Sequence, residues 1–242
     1  MYTIFKKEIN VFFDSLYGII IFSIFFLING LFIWIFPSSN IFQYGISSLE
    51  IFFDVVPYIF ILFISSITMK IISEERSLGT FEILLSQPIS YKEIILAKFL
   101  SCWFLSIFLI FLTFPYWITI YYLSNPLGSI DNIIILNSYI GLILLVGAMN
   151  SIGIFFSSTF QNQIISFLSS CFIFYLLYEG IDMINFYDSI NLIDSFIDHF
   201  TFSYHYSNFT KGIFQISSFI YFIIVMFTFF YFSLVNLRIN LK

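Results

Sequence analysis

The sequence ISEERSLGTFEILLSQPISYKEIILAK, from Ile72 to Lys98, is a polar island in an otherwise strongly apolar chain. With Lys70 just before it, the island accounts for four of the nine basic residues, and it holds four of the fourteen acidic ones. Long apolar runs lie on both sides. Charge concentrated in this way indicates a segment that meets water between two segments that do not.

The composition describes a membrane protein. Of 242 residues, 60% are apolar and 10% charged, and the mean hydropathy is +1.00, values that a soluble domain does not reach. A helix needs about 20 apolar residues to cross the hydrocarbon core of a bilayer. The chain offers six such runs, and we predict a single all-α transmembrane domain with spans at about 17–36, 51–69, 94–123, 133–156, 163–181 and 213–237.

Two amphipathic segments flank the spans. Residues 1–16 place apolar side chains at helical spacing, with Lys6 and Lys7 between them, which is typical of a helix lying in the membrane interface. A second pattern precedes the last span, where apolar residues from Ile190 to Phe200 recur at helical spacing opposite Asp194 and Asp198. We therefore predict a short helix on the outer surface.

The basic residues set the predicted orientation. With six spans both termini share a side, and eight of the nine Lys and Arg residues fall on that side, leaving only Lys211 opposite. Loops rich in Lys and Arg stay in the cytoplasm. Both termini and the polar island are therefore predicted to be cytoplasmic.

Local signals also predict details of the spans. The run 94–123 is too long for a straight crossing, and Pro115 is the expected kink. Asn29, Asn137 and Asn150 are expected to join helices by hydrogen bonds. Cys102 and Cys171 lie in apolar runs and are read as buried thiols.

Within the island we predict two helical pieces. Leu78, Phe81 and Leu85 form an apolar stripe on the first piece, and Pro88 ends it. Ser90 and Glu93 then form an S-x-x-E capping box that starts the third span. A short helix capped rigidly onto a span can transmit a push from a soluble partner.

The pattern E-E-R-x-x-G-T-x-E-x-L-L-x-x-P, from Glu74 to Pro88, resembles the signature of the ABC-2 type transporter permeases. The N-terminal interfacial helix, the six spans and the short helix before the last span are also similar to that family. The stretch from His205 to Ile213, followed by Tyr221 and Phe222, resembles the gliding-motility branch of the family.

The resemblance implies a permease subunit, most often an exporter, in a bacterial inner membrane. It implies that the segment 72–93 couples the permease to cytoplasmic ABC ATPase subunits, and that the chain pairs with itself or with a second permease. The interface to the ATPase that it implies consists of Glu74, Glu75, Arg76, Gly79, Thr80, Phe81, Glu82 and Pro88.

The sequence has no G-x-x-x-x-G-K-[ST] motif, so ATP and Mg²⁺ are expected on the partner subunit rather than on this chain. We expect no catalytic, cofactor or metal site and no nucleic-acid partner. Two alternatives stay open at this stage. One is a secondary transporter, although Asp54 and Glu179 lie near span ends rather than at membrane depth. The other is a membrane scaffold of an envelope or motility complex.

Overall fold

The computed structural model describes residues 1–36, 49–124, 128, 130–180 and 199–240. Within these ranges the protein is all-helical, as predicted, and six helices are long and apolar enough to cross a membrane. We number the helices α1 to α11 in chain order. Their bounds are α1 Tyr2–Asp14, α2 Leu16–Trp34, α3 Glu50–Met69, α4 Glu75–Ser77, α5 Thr80–Leu85, α6 Tyr91–Leu112, α7 Phe114–Leu123, α8 Asn132–Thr159, α9 Gln163–Tyr175, α10 Phe202–Thr210 and α11 Ile216–Asn240. Two π-helical turns, Lys70–Glu74 and Leu176–Gly180, extend α3 and α9.

Helix α8 is the centre of the bundle and packs against α3, α6, α9, α10 and α11. In an 18-residue apolar stretch of α8, 78% of the residues are buried, whereas in the corresponding stretch of α2 only 22% are. Glycines permit this packing, because a Cβ atom at Gly147 would lie 2.4 Å from Met226 Cε of α11, and one at Gly153 would lie 2.5 Å from Thr68 Oγ1 of α3. Small residues let helices approach closely where lipid supplies no hydrophobic force between them.

The third apolar run breaks where the sequence predicts. Helix α6 ends at Leu112, Thr113 donates its hydroxyl to Ile110 O at 2.6 Å, and α7 restarts with Pro115 in its first turn. Proline fits the first turn of a helix because its missing N–H has no intrahelical partner there.

Asparagine joins helices at two of the three positions expected. Asn150 Nδ2 of α8 donates to Ser106 Oγ of α6 at 3.1 Å, and Asn137 Nδ2 donates to Gly212 O at 2.9 Å. Asn29 instead donates to Phe25 O of its own helix at 2.8 Å. Cys102 is buried as expected, whereas Cys171 is partly exposed.

Some element bounds differ from those expected from sequence. Helix α8 continues to Thr159, so the connection to α9 is shorter than the gap 157–162 between the fourth and fifth predicted spans. The outer amphipathic helix predicted from Ile190 lies largely outside the described residues. The helix described before the last span is α10, Phe202–Thr210, whose His205 and Phe209 are buried.

Contacts define two ends of the bundle. Helix α1, the polar island, the end of α8 and the end of α11 meet at one end, which we call the basic end because Lys7, Arg76 and Lys98 lie there. Lys211 lies at the opposite end, where Gly212, the residue after it, accepts a hydrogen bond from Asn137.

Candidate functional site

The second span runs into the polar island without a break. After α3, the π-helical turn Lys70–Glu74 leads into α4, which ends where Gly79 adopts a left-handed conformation with φ of 73°. Glycine adopts positive φ without the steric cost that a Cβ atom imposes. Helix α5 then starts in a new direction.

Ser157 of α8 holds the π-helical turn. Its hydroxyl oxygen accepts hydrogen bonds from the backbone N–H groups of Ile72 at 3.2 Å and Ser73 at 3.0 Å. Ser73 Oγ in turn donates to Ser157 O at 3.0 Å. All of these groups are buried, so a lost partner would leave backbone N–H groups unsatisfied. The start of the island is thereby fixed to the central helix.

Arg76 makes a second link to α8. Its Nη1 donates to Ser158 O at 2.6 Å, one residue before the end of that helix. A cation is favourable there because the last carbonyl groups of a helix lack intrahelical partners and carry partial negative charge.

Lys98 is a buried cation that joins three segments. Its side chain is fully buried, and Nζ contacts Glu8 Oε1 of α1 at 3.0 Å, Glu75 Oε2 of α4 at 2.6 Å and Ile71 O at 2.7 Å. The three contacts use all three N–H donors of the ammonium group. A buried charge is tolerated when it is paired and hydrogen-bonded in this way.

Lys7 completes the cluster on its exposed side by donating to Glu75 Oε1 at 2.7 Å. Burial alone lowers the pKa of Lys7, but the hydrogen bond to Glu75 and the charges of Glu8 and Glu75 outweigh burial and raise it. The four side chains, which we call the lysine–glutamate cluster, carry two positive and two negative charges (Lys7, Glu8, Glu75, Lys98).

The far side of the island is anchored by packing and by a cap. Phe81 of α5 is 1% exposed. Ser90 Oγ accepts from Glu93 N at 3.3 Å, and Glu93 Oε2 accepts from Ser90 N at 3.2 Å, which confirms the predicted capping box. The anchored residues Ser73, Glu75, Arg76, Phe81 and Lys98 form what we call the root of the island.

Between these anchors the island projects an exposed surface, which we call the tip. Its residues are Leu78, Gly79, Thr80, Glu82 and Ile83, all of them exposed. Leu78 is 68% and Ile83 66% exposed, so two apolar side chains flank one carboxylate. Leu78 and Thr80 also line a cavity of about 290 Å³ between the island and α1.

The tip corrects one expectation from sequence. Leu78 and Phe81 do not share an apolar stripe, because the positive φ of Gly79 ends the helix between them. Phe81 consequently points into the protein, whereas Leu78 faces outward.

The eight residues expected at the ATPase interface differ in exposure. Gly79, Thr80, Glu82 and Pro88 are exposed, whereas Phe81 is buried, and Glu75 and Arg76 are engaged inside the protein. Glu74 is partly exposed and lies 3.8 Å from Lys70. Their role at an interface stays a prediction.

Sequence reasoning missed the residues that hold the root. Glu8 is 90 positions from Lys98, and Ser157 is 84 from Ser73. The one local signal was a lysine, Lys98, placed a full turn inside the third span, where a charge is costly unless it is paired.

These features define a polytopic helical membrane protein that presents a rigidly anchored loop to the aqueous phase at its basic end. A family model for ABC-2 family transporter proteins matches residues 2–237. The chain belongs to the ABC-2 family of transporter proteins, and membership of that family implies association with ABC ATPase subunits. The match is to the family as a whole and lends no support to the gliding-motility branch. No curated protein matched the chain significantly.

Proposed function

We propose that this chain is the permease subunit of an ATP-driven exporter, that it works as a pair of permeases with two ATPase subunits, and that the tip of the island docks in a groove of the ATPase. The observation that carries this proposal is the contrast between the exposed tip and the largely buried, charge-paired root. ATP binding and hydrolysis would take place on the partner subunit.

The chemistry of the tip supports a protein partner. Leu78 and Ile83 expose apolar surface beside Glu82, and the neighbouring cavity can receive a side chain of the partner. Apolar anchors within a polar surround are typical of protein interfaces. Gly79 has no side chain, so it keeps the surface flat between Leu78 and Ile83. No atom lies within 4 Å of where its Cβ would be.

The root supports transmission of movement. A force on the tip reaches α8 through Ser157 and Ser158, and it reaches α1 and α6 through Lys98. Those hydrogen bonds and ion pairs are buried or partly buried, so we expect the island to move together with the spans rather than to slide over them.

The basic end is proposed to face the cytoplasm of a bacterial cell, with the chain in the inner membrane. The support is the distribution of basic residues between the two sides of the predicted spans. Substituted cysteines provide a check: Ser77→Cys should react with a membrane-impermeant reagent only after the cells are opened, whereas Lys211→Cys, an exposed position at the opposite end, should react in intact cells. Reaction of Ser77→Cys in intact cells would reverse the orientation.

Docking is tested by pull-down of the ABC ATPase subunit that co-purifies with the wild-type chain. Glu82→Arg and Leu78→Asp should each abolish co-purification while the permease still inserts, because the first reverses a charge in the proposed contact and the second introduces one. Asp14→Arg is the matched control, since Asp14 is an exposed carboxylate of α1 outside the tip. Retention of the ATPase by both tip variants would contradict the docking proposal.

A further inference from the structure

A second surface of the basic end lies away from the island. A cavity of about 460 Å³ lies between the start of α6 and the last turns of α11. Its lining is apolar except at two positions, Lys92 and Arg238, and the other residues are Phe227, Phe230, Tyr231, Leu234 and Val235. The volume is within the range of sites that bind small ligands, about 300–1,000 Å³.

The two cations at this groove have no ion-pair partner among the described residues. Lys92 and Arg238 are both exposed, and the nearest carboxylate in sequence, Glu93, accepts the backbone N–H of Ser90 at 3.2 Å. The sequence from Ile216 to Lys242 contains no Asp or Glu. The groove is therefore apolar along its length and positive at its mouth.

The helix dipole does not stabilise the charge of Lys92. It lies in the first turn of α6, where the positive end of the helix dipole disfavours a cation. Arg238, in the last turn of α11, is favourably placed by the same rule. A negative group held between the two side chains would offset the cost at Lys92.

The apolar part of the groove indicates which anion fits. Phe227 and Tyr231 are 70% and 62% exposed and belong to a membrane-spanning helix, so they face hydrocarbon rather than water. A water-soluble ATPase could reach Lys92 and Arg238 but could not cover these rings at membrane depth. A molecule with a phosphate and an acyl chain can contact both parts.

We propose that this groove binds one anionic phospholipid, with its phosphate between Lys92 and Arg238 and an acyl chain against Phe227, Tyr231 and Leu234. The lipid bridges the first turn of α6, directly after the capped end of the island, and the end of α11. It stabilises the packing of these two helices at the basic end.

Native mass spectrometry of the purified full-length chain tests the site, with phosphatidylglycerol and phosphatidylcholine of identical acyl chains as probes. Lys92→Gln and Arg238→Gln should each weaken retention of phosphatidylglycerol about fivefold, the effect of one basic residue near an anionic headgroup. Retention of phosphatidylcholine should not change. Arg238→Lys, which keeps the charge, should retain most of the preference.

Lys211→Gln is the matched control, because Lys211 is an exposed cation at the opposite end of the bundle. An equal loss of phosphatidylglycerol in this control would show that net charge alone attracts the lipid, and the proposal would be wrong. Val235→Trp should displace the lipid by filling the groove with both cations intact, and unchanged retention would also overturn it.

The ATPase pull-down separates this site from the docking surface. The double variant Lys92→Gln with Arg238→Gln should still co-purify with the ATPase. If that variant keeps its lipid and loses the ATPase, the two cations belong to the protein interface instead, and the lipid proposal fails.

Discussion

The root and the tip of the polar island are adjacent in sequence and opposite in character. Root side chains are buried or half-buried and contact α1, α6 and α8, whereas tip side chains are exposed. Glu75 and Glu82 illustrate the difference, since one is fixed by two lysines and the other is exposed. The charge of Glu75 stabilises the fold through its ion pairs, whereas the charge of Glu82 is available to a partner.

This comparison predicts two classes of variant. Changes in the root should lower stability, and transport with it. Changes of tip side chains, with the left-handed Gly79 as the exception, should leave stability intact and affect only what binds there.

Lys98→Met should give the largest loss of stability, because it leaves Glu8 and Glu75 close together with one lysine fewer between them. Removing one partner of a buried ion pair typically costs about 3–5 kcal/mol. The measurement is the free energy of unfolding of the purified chain in mixed micelles. Lys6→Met, which removes an exposed lysine of α1, is the control and should change stability by less than about 0.5 kcal/mol.

A compensated variant makes this prediction sharper. Lys98→Met combined with Glu8→Gln and Glu75→Gln removes the uncompensated charge and should recover part of the loss, since an apolar or neutral replacement of a whole buried ion cluster is often tolerated. If the triple variant is no more stable than Lys98→Met alone, packing rather than charge holds the root.

Ser157→Ala should lower stability less than Lys98→Met does. It removes the acceptor of the Ile72 and Ser73 N–H groups without removing those donors, and an unsatisfied buried donor costs about 1–3 kcal/mol. Thr159→Ala, at the exposed end of the same helix, is the comparison. Equal stability of the two variants would mean that the π-helical turn does not depend on α8.

The contrast between root and tip also explains how much could be predicted from the sequence. Six spans, the break at Pro115 and the capping box of Ser90 and Glu93 follow from periodicity, proline and residues three positions apart, and such local signals are visible in a sequence. The exposed charge of the tip was visible for the same reason.

The contacts of the root could not be predicted in this way. Lys98 pairs with Glu8 only because α1 and α6 pack together, and the sequence indicated Lys98 only as one of many basic residues on one side. The split between Leu78 and Phe81 depended on the φ angle of one glycine, which helical spacing does not reveal. Tertiary packing decided both cases.

Gly79 tests whether the tip depends on its backbone shape. Gly79→Ala should cost about 1–2 kcal/mol, because the left-handed conformation brings a Cβ atom too close to the following carbonyl oxygen, and no neighbour lies near enough to add a clash. Gly79→Asn should cost less, since asparagine visits this conformation more readily. Equal losses for the two variants would contradict the conformational explanation.

The smallest effect on stability is expected at Ile83. Comparing Ile83 with Phe81 shows whether exposure or apolar character decides how much an island residue contributes to stability. Ile83 and Phe81 are two positions apart in α5, yet Ile83 is 66% and Phe81 1% exposed. Ile83→Ala should change the free energy of unfolding by less than about 0.5 kcal/mol, because little of its side chain is buried. Phe81→Ala should cost about 3–5 kcal/mol through the lost packing.

The same two variants should rank in the opposite order in their specific effect on binding of the ATPase. Ile83→Ala should weaken co-purification at unchanged permease yield, whereas Phe81→Ala should lower the yield and the co-purification together. If Ile83→Ala destabilises the chain as much as Phe81→Ala does, the tip is part of the packed core, and the division between an anchored root and a free docking surface is wrong.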